Sequence, residues 1–171
     1  MLIAEDLNGH SAIIRDGFDF WNRQKGEKAL PSWQDIDPSK MKPLLPSLVV
    51  THVMHDPLDF VDRIIGEIVS DKARESSNGL YWSQMPERTS ESQIWKAFEE
   101  VVHSRQITLK AIPYVGLHKE FLRIEALICP IADQHDRVCK ILTFVDYISH
   151  SEDDIISDMA QADLPALEAR L

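Results

Sequence analysis

The side chains that could do chemistry here are a few histidines, two cysteines, two arginines on predicted strands and a set of large aromatics. His52 and His55 lie three apart, a spacing that lets two imidazoles share a metal when both ride on a helix. They fall instead on a predicted strand and its turn, where odd spacing sends side chains to opposite faces, so no metal site is expected. Cys129 and Cys139 become cross-strand neighbours if a hairpin closes near Gln134. Two thiols are too few for a disulfide scaffold, and the expectation is reduced core residues in a cytosolic protein. No glycine-rich phosphate loop is present, because Gly66 and Gly79 are too far apart, and no serine lies in a Gly-x-Ser-x-Gly elbow. Nothing local supports an enzyme.

What remains fits binding better than reaction. Trp82, Trp95, Phe98 and Tyr114, with Ile64 and Leu127, are expected to meet between helices and a sheet. There they either fill the core or line a small cavity that an amphipathic small molecule completes. Arg63 stands on a strand otherwise rich in hydrophobes. It would pair with a buried acid or receive a ligand carboxylate, and Arg123 is the second candidate for that role. Both faces of the strands are apolar, so the face that Arg63 takes is left open.

The elements that must position these residues follow from periodicity. Ser11 to Gly26 reads as a helix with Ile14, Phe18 and Trp21 on one stripe, opened by Ser11 and ended by Gly26. That stripe either packs on the sheet or forms a homodimer face. The ten or so residues before it read as polar and loose. Asp37-Pro38 is an N-cap with proline at the first helical position. Ser47 to Met54 and Asp59 to Ile65 alternate as strands, with Phe60, Asp62 and Ile64 on one face of the second and Val61, Arg63 and Ile65 on the other. Glu67 to Arg74 reads as a short helix. Ser90 answered by Gln93 suggests a reciprocal cap for a long helix running to about His103. Gln106 to Val115, Glu120 to Pro130 and Arg137 to Tyr147 read as three consecutive antiparallel strands. Ser151-Glu152-Asp153-Asp154 reads as the acidic start of a helical tail.

The composition bounds the partners. The 171 residues are 44 % hydrophobic and 27 % charged, ordinary globular usage, with a net charge of −10 from 28 acidic and 18 basic residues. Without clustered Lys and Arg, nucleic-acid binding is not expected. No basic leader followed by an apolar stretch is visible, and no segment approaches the roughly 20 apolar residues of a membrane helix, so neither export nor a membrane partner is expected.

The order of elements, α+β with one five-stranded antiparallel sheet and helices inserted between the second and third strands, is the layout of the PAS fold. The motifs Phe20-Trp21, Leu30-Pro31, Ile36-Asp37-Pro38, Leu45-Pro46-Ser47-Leu48, Asp59-Phe60, Arg63-Ile64-Ile65-Gly66 and Gly79 carry a closer likeness. In their order and spacing the chain resembles the short bacterial single-domain PAS-type proteins of about this length, over residues 11 to 148. The family usually has an aromatic just before the arginine and a threonine just after the strand-ending glycine; Asp62 and Glu67 stand there instead. Together the elements divide the chain into three expected parts: a flanking helix at 1–28, a PAS-like domain at 29–148 and a helical tail at 149–171; the resemblance itself implies a PAS-type domain. It also implies a sensory or protein-interaction role without catalysis.

Haem-bearing PAS domains take an axial histidine from the long helix. With Phe98 at zero and about 100° per residue, the apolar stripe lies within roughly ±60° and His103 near roughly 140°, facing away from a pocket. No cofactor is evident, and the cysteine motif of flavin-photosensing relatives is missing. No kinase, receiver or DNA-binding module is visible in these residues, so output is expected through association, with a second copy or a signalling protein. The two readings carried forward are a sensor that binds a small molecule or signalling partner, and a ligandless dimerisation or adaptor module with a fully packed core.

Overall fold

A computed structural model describes residues 2–151. Five strands form one antiparallel sheet: β1 (Leu48–Met54), β2 (Asp59–Ile65), β3 (Thr108–Pro113), β4 (Phe121–Ala132) and β5 (Val138–Ser149). Their spatial order is β2-β1-β5-β4-β3. The first and last strands in sequence therefore lie side by side in the middle of the sheet, and the chain from β2 to β3 must cross one face to reach the far edge. The helices on that crossing are α3 (Glu67–Lys72) and α4 (Gln93–Ser104); α1 (Ala12–Lys25) and α2 (Pro38–Met41) precede the sheet. This is the α+β arrangement that the strand periodicity predicts.

Alternation along the strands assigns each side chain to a face. On the outer face Leu48, Leu127, Leu142 and Phe144 are fully buried beneath α1, which packs on β4 and β5. Gly17 makes that contact possible: a Cβ there would lie 2.5 Å from the Phe144 ring. Phe20 meets the same ring edge-on at 6.3 Å, and Trp21 Nε1 donates to the Pro130 carbonyl at 2.9 Å. Ile14, Phe18 and Trp21 are all buried. Of the two roles open to that stripe, packing on the sheet is the one observed, and these three side chains are not free to form a dimer face.

Three local expectations need correction. The residues before α1 are not loose: Ala4–Leu7 forms a 3-10 turn, with Leu7 buried in the core. The N-cap of α4 is Ser92, whose side chain accepts from Trp95 N–H at 3.2 Å, rather than Ser90; the turn before the helix takes up two more residues than the pattern suggests. Cys129 pairs with Leu142 and not with Cys139, because the β4–β5 ladder closes through Ala132 and Val138. The two thiols are ten residues apart, Cys139 is the unpaired residue at the register shift between Ile131 and Ala132, and both are free. Asp37 caps α2 as expected, accepting from Ser39 N–H at 3.0 Å. The acidic tail start lies outside the described residues except for Ser151.

Gly66 joins β2 to α3 where the chain turns against the 3-10 segment Lys42–Ser47. Its φ of −62° is open to any residue, so conformational freedom is not its purpose. A Cβ at this position would collide with the carbonyl oxygens of Leu45 and Pro46, both backbone atoms that cannot swing aside. Gly66→Ala is expected to cost about 2–3 kcal/mol through overpacking, lowering the midpoint of thermal unfolding by roughly 5–10 °C. An unchanged melting curve by circular dichroism would contradict this account of the β2–α3 junction.

Candidate functional site

Small side chains on the inner face of the sheet leave a space beneath the crossing helices. Val49 and Thr51 of β1, Ala126 of β4, and Thr143 and Val145 of β5 floor a cavity of about 630 Å³. Val69 and Lys72 of α3, the first turn of α4 with its cap (Ser92, Gln93, Ile94), and the stretch from Trp82 to Arg88 roof it. Its volume falls in the range of small-molecule pockets, roughly 300–1,000 Å³.

Two aromatic clusters contribute to the wall. Phe60, Trp82, Trp95 and Phe98 pack with ring centroids 4.6–5.4 Å apart in tilted and edge-to-face pairs, the geometries that aromatic quadrupoles favour. Trp82 and Phe98 reach the cavity from this cluster, while Phe60 and Trp95 back them. Tyr114, Phe121 and Tyr147 form the second cluster, at 5.3–5.8 Å. Lys72 Nζ stands 5.1 Å from the Tyr147 ring centroid, and Tyr114 Oη donates to the Lys72 carbonyl at 2.7 Å, tying the β3–β4 connection to α3.

The polar side of the cavity is built around Asp62, which is 1 % exposed. Thr51 Oγ1 donates to its Oδ1 at 2.8 Å; Ser77 Oγ donates to Oδ2 at 2.6 Å and Arg88 Nη1 to Oδ2 at 2.8 Å. The Arg88 guanidinium also lies over the Trp82 ring, 4.7 Å from its centroid. Two polar atoms of the wall have no such partner: Trp82 Nε1 and Thr143 Oγ1 are closed off without a hydrogen bond. Burial, reinforced by Tyr114 nearby and opposed by Arg88, holds the Tyr147 phenol up at about 12.

Of the residues expected to line a pocket, Trp82, Phe98 and Tyr114 do so, and Arg63, Ile64, Trp95, Arg123 and Leu127 do not. The reason at β2 is a bulge. Val50 pairs with Ile64 but Thr51 pairs with Asp62, so Arg63 is an extra residue without a partner on β1. The insertion reverses the alternation beyond it. Asp62 stays on the inner face with Phe60, whereas Ile64 turns to the outer face beside Val50, and Arg63 is exposed. Trp95 supports the cluster from behind. Leu127 lies beneath α1, and Arg123, on the same face of β4, sits 4.0 Å from Glu125. His103 is exposed on α4 and lines no part of the cavity.

Thr51, Lys72, Arg88, Thr143 and Tyr147 were not expected at the site. One signal pointed to Arg88: a carboxylate at position 62 on an apolar strand needs a cation when buried. The nearest arginine in sequence is Arg63, yet an adjacent strand residue points the other way, and Arg88 arrives from a segment with no periodicity to place it. Among the described residues no group of three or more His, Cys, Asp or Glu is placed to hold a metal, and no helix is long and apolar enough to cross a membrane.

Removing the Asp62 carboxylate leaves Arg88, Ser77 and Thr51 without their acceptor. Asp62→Ala is therefore expected to destabilise the domain by about 2–4 kcal/mol in urea unfolding, and much less in an Arg88→Ala background. Equal losses in the two backgrounds would show that the pair is not coupled. At Tyr147 a raised phenol has the opposite pH signature from a paired carboxylate. The unfolded chain releases its proton near pH 10 and the folded one near about 12, so stability falls as pH rises across that window. Tyr147→Phe should flatten that part of an alkaline unfolding profile; an unchanged slope would contradict the burial.

A family model described as the PAS domain matches residues 10–145, from the start of α1 into β5. No curated protein matches the chain. Among solved structures, the chain is similar to a sensory box sensor histidine kinase from Vibrio cholerae at 12 % identity and a TM-score of 0.47. That match covers 66 % of this chain and 90 % of the other. With the family match running over most of its length, and with helices inserted between the second and third strands of a five-stranded antiparallel sheet, the chain belongs to the PAS domain family of non-catalytic sensory modules.

Proposed function

We propose that this chain is a ligand-operated sensory module whose signal is a small amphipathic molecule held between the inner face of the sheet and α3–α4. The cavity carries this reading. Protein interiors pack densely, and buried polar groups find partners. A space of about 630 Å³ with Trp82 Nε1 and Thr143 Oγ1 left unpaired in its wall departs from both rules at one place. A bound molecule would remove both departures.

The ligandless adaptor is the weaker reading on the same grounds. It requires a filled core, and the helical stripe that would serve it as a dimer face is spent on the sheet. Association with a second protein, or a second copy through another surface, is the proposed output. The two faces of β5 suggest how occupancy would reach it. Thr143 and Val145 floor the cavity, and Phe144 between them is buried against Gly17 and Phe20 of α1. A ligand that shifts β5 by a fraction of an ångström therefore presses on α1.

Native mass spectrometry of the purified protein, followed by thermal-shift screening against a metabolite panel, tests the proposal. A bound or acquired molecule is expected. At about one hundred times its Kd such a ligand adds about 2.7 kcal/mol, a rise of roughly 5–10 °C in Tm. Bare protein in the spectrometer together with a Tm that no metabolite moves would sink the sensor reading.

A further inference from the structure

We propose that the cavity selects an organic monocarboxylate with an apolar body, its carboxylate received by Arg88 beside the first turn of α4. This rests on the reading of the cavity as a ligand site and narrows it to one chemistry.

The argument is a balance of donors and acceptors. Arg88 has five N–H donors in a planar fork, and its one side-chain hydrogen bond among the described residues is Nη1 to Asp62. Its side chain is 30 % exposed and borders the cavity, so the rest of the fork is open to a second acceptor. Asp62 does not compete for that role: its Oδ1 is taken by Thr51, and its Oδ2 by Ser77 and Arg88. It instead neutralises the guanidinium from behind and fixes its direction.

The other unmatched groups can both donate. Trp82 Nε1 is a donor only, and Thr143 Oγ1 carries a proton that no acceptor takes. Both are sealed in the empty wall, so a ligand reaches them only as the wall adjusts around it. Ser92, Gln93 and Ile94 bring the N-terminal end of the 12-residue α4 to the same space, where free backbone N–H groups and the helix dipole favour negative charge. Lys72 is a further cation of the wall without a carboxylate partner among the described residues; it rests on aromatic rings. Against these stand two wall carboxylates. Glu87 is engaged by Arg74 at 3.2 Å, and Glu75 is exposed. Most of the remaining wall, including Val49, Ile94, Phe98, Ile112, Ile124 and Val145, is apolar, with the Gln93 amide and the Tyr114 and Tyr147 hydroxyls as its polar exceptions. A donor-rich end and an apolar remainder are matched by one acceptor group on a hydrocarbon or aryl body.

Isothermal titration calorimetry with four probes separates this claim from the broader one. Octanoate and 3-phenylpropanoate carry the carboxylate on aliphatic and aromatic bodies; octanamide and 1-octanol carry the body without the charge. At least one carboxylate is expected to bind about tenfold or more tighter than both neutral probes, the value of a charged hydrogen-bond pair. Which carboxylate binds tighter tells the aliphatic source from the aromatic one. Arg88→Lys keeps a cation for Asp62 but loses the fork, and should abolish the preference while 1-octanol still binds. Should that variant fail to fold, Trp82→Phe leaves the Arg88–Asp62 pair intact and removes a donor that bonds nothing in the empty protein. It is expected to fold normally and to narrow the preference for the carboxylate over 1-octanol about threefold to tenfold, since a charged acceptor loses more than a neutral one. Neutral probes that bind as tightly as the carboxylates, or a preference that survives Arg88→Lys, would overturn the monocarboxylate and leave the cavity as a ligand site. Binding by none of the four would overturn the inference and count against the cavity as a site for apolar small molecules.

Discussion

The buried Asp62 carboxylate holds the crossing segment to the sheet. Residues 66–107 must travel from β2 at one edge to β3 at the other, and Asn78 and Tyr81 on the way make only isolated bridges, to Asp62 and Val61. Asp62 anchors them at three points: its side chain takes Ser77 and Arg88, and its backbone carbonyl accepts from Gly79 N–H at 2.8 Å. The positive φ of Gly79, 78°, lets the chain turn back toward β2 at that point. Thr51 ties the same carboxylate to β1. An isolated carboxylate in an apolar core would cost several kcal/mol, and four donors around one residue turn that cost into specificity for one path of the chain.

That path decides why the two faces of the sheet differ. On the outer face α1 approaches closely through Gly17, and leucines with Phe144 fill the gap. On the inner face the middle strands carry Thr51, Ala126, Thr143 and Val145, too small to fill the space under the roof. Large aromatics collect at the edges instead, around Phe60 on one side and Tyr147 on the other. They hold α4 and α3 away from the centre, as pillars rather than filling. The cavity is the result of this size distribution.

Much of this was legible in the sequence. Alternation in 48–54 and 59–65 and the β-rich stretches that follow marked all five strands within a few residues, because each strand pairs along most of its length. The aromatics Trp82 and Phe98 are legible at the cavity because large apolar side chains on a helical crossing have one core to enter, and Tyr114 because it ends a strand of the same sheet. What escaped was the consequence of a single unpaired residue. The bulge at Arg63 is invisible to a period-2 reading, and beyond it every side chain changes face. Ile64 was thereby assigned to the cavity and Arg63 given a role that belongs to Arg88. Leu127 lies away from the cavity for a different cause, the same one that left two roles open for the stripe of Ile14, Phe18 and Trp21. Apolar patterns say that a face is buried but not against what, and here α1 and the outer face of the sheet bury each other.

The aspartate at position 62 has a physical sense in this packing. An aromatic on the inner face of β2 would extend the Phe60 cluster toward the cavity and leave Arg88 without a counter-charge. With aspartate there, a guanidinium can stand at the edge of an apolar space, held by one of its five donors and stacked on Trp82. Arginine so placed is neither a core residue nor a surface one. Its charge is balanced from the sheet side by Asp62, and its partly exposed side chain borders the cavity. The aspartate that forgoes a large side chain in the core also creates the polar end of the cavity, and the two effects are inseparable because one side chain produces both.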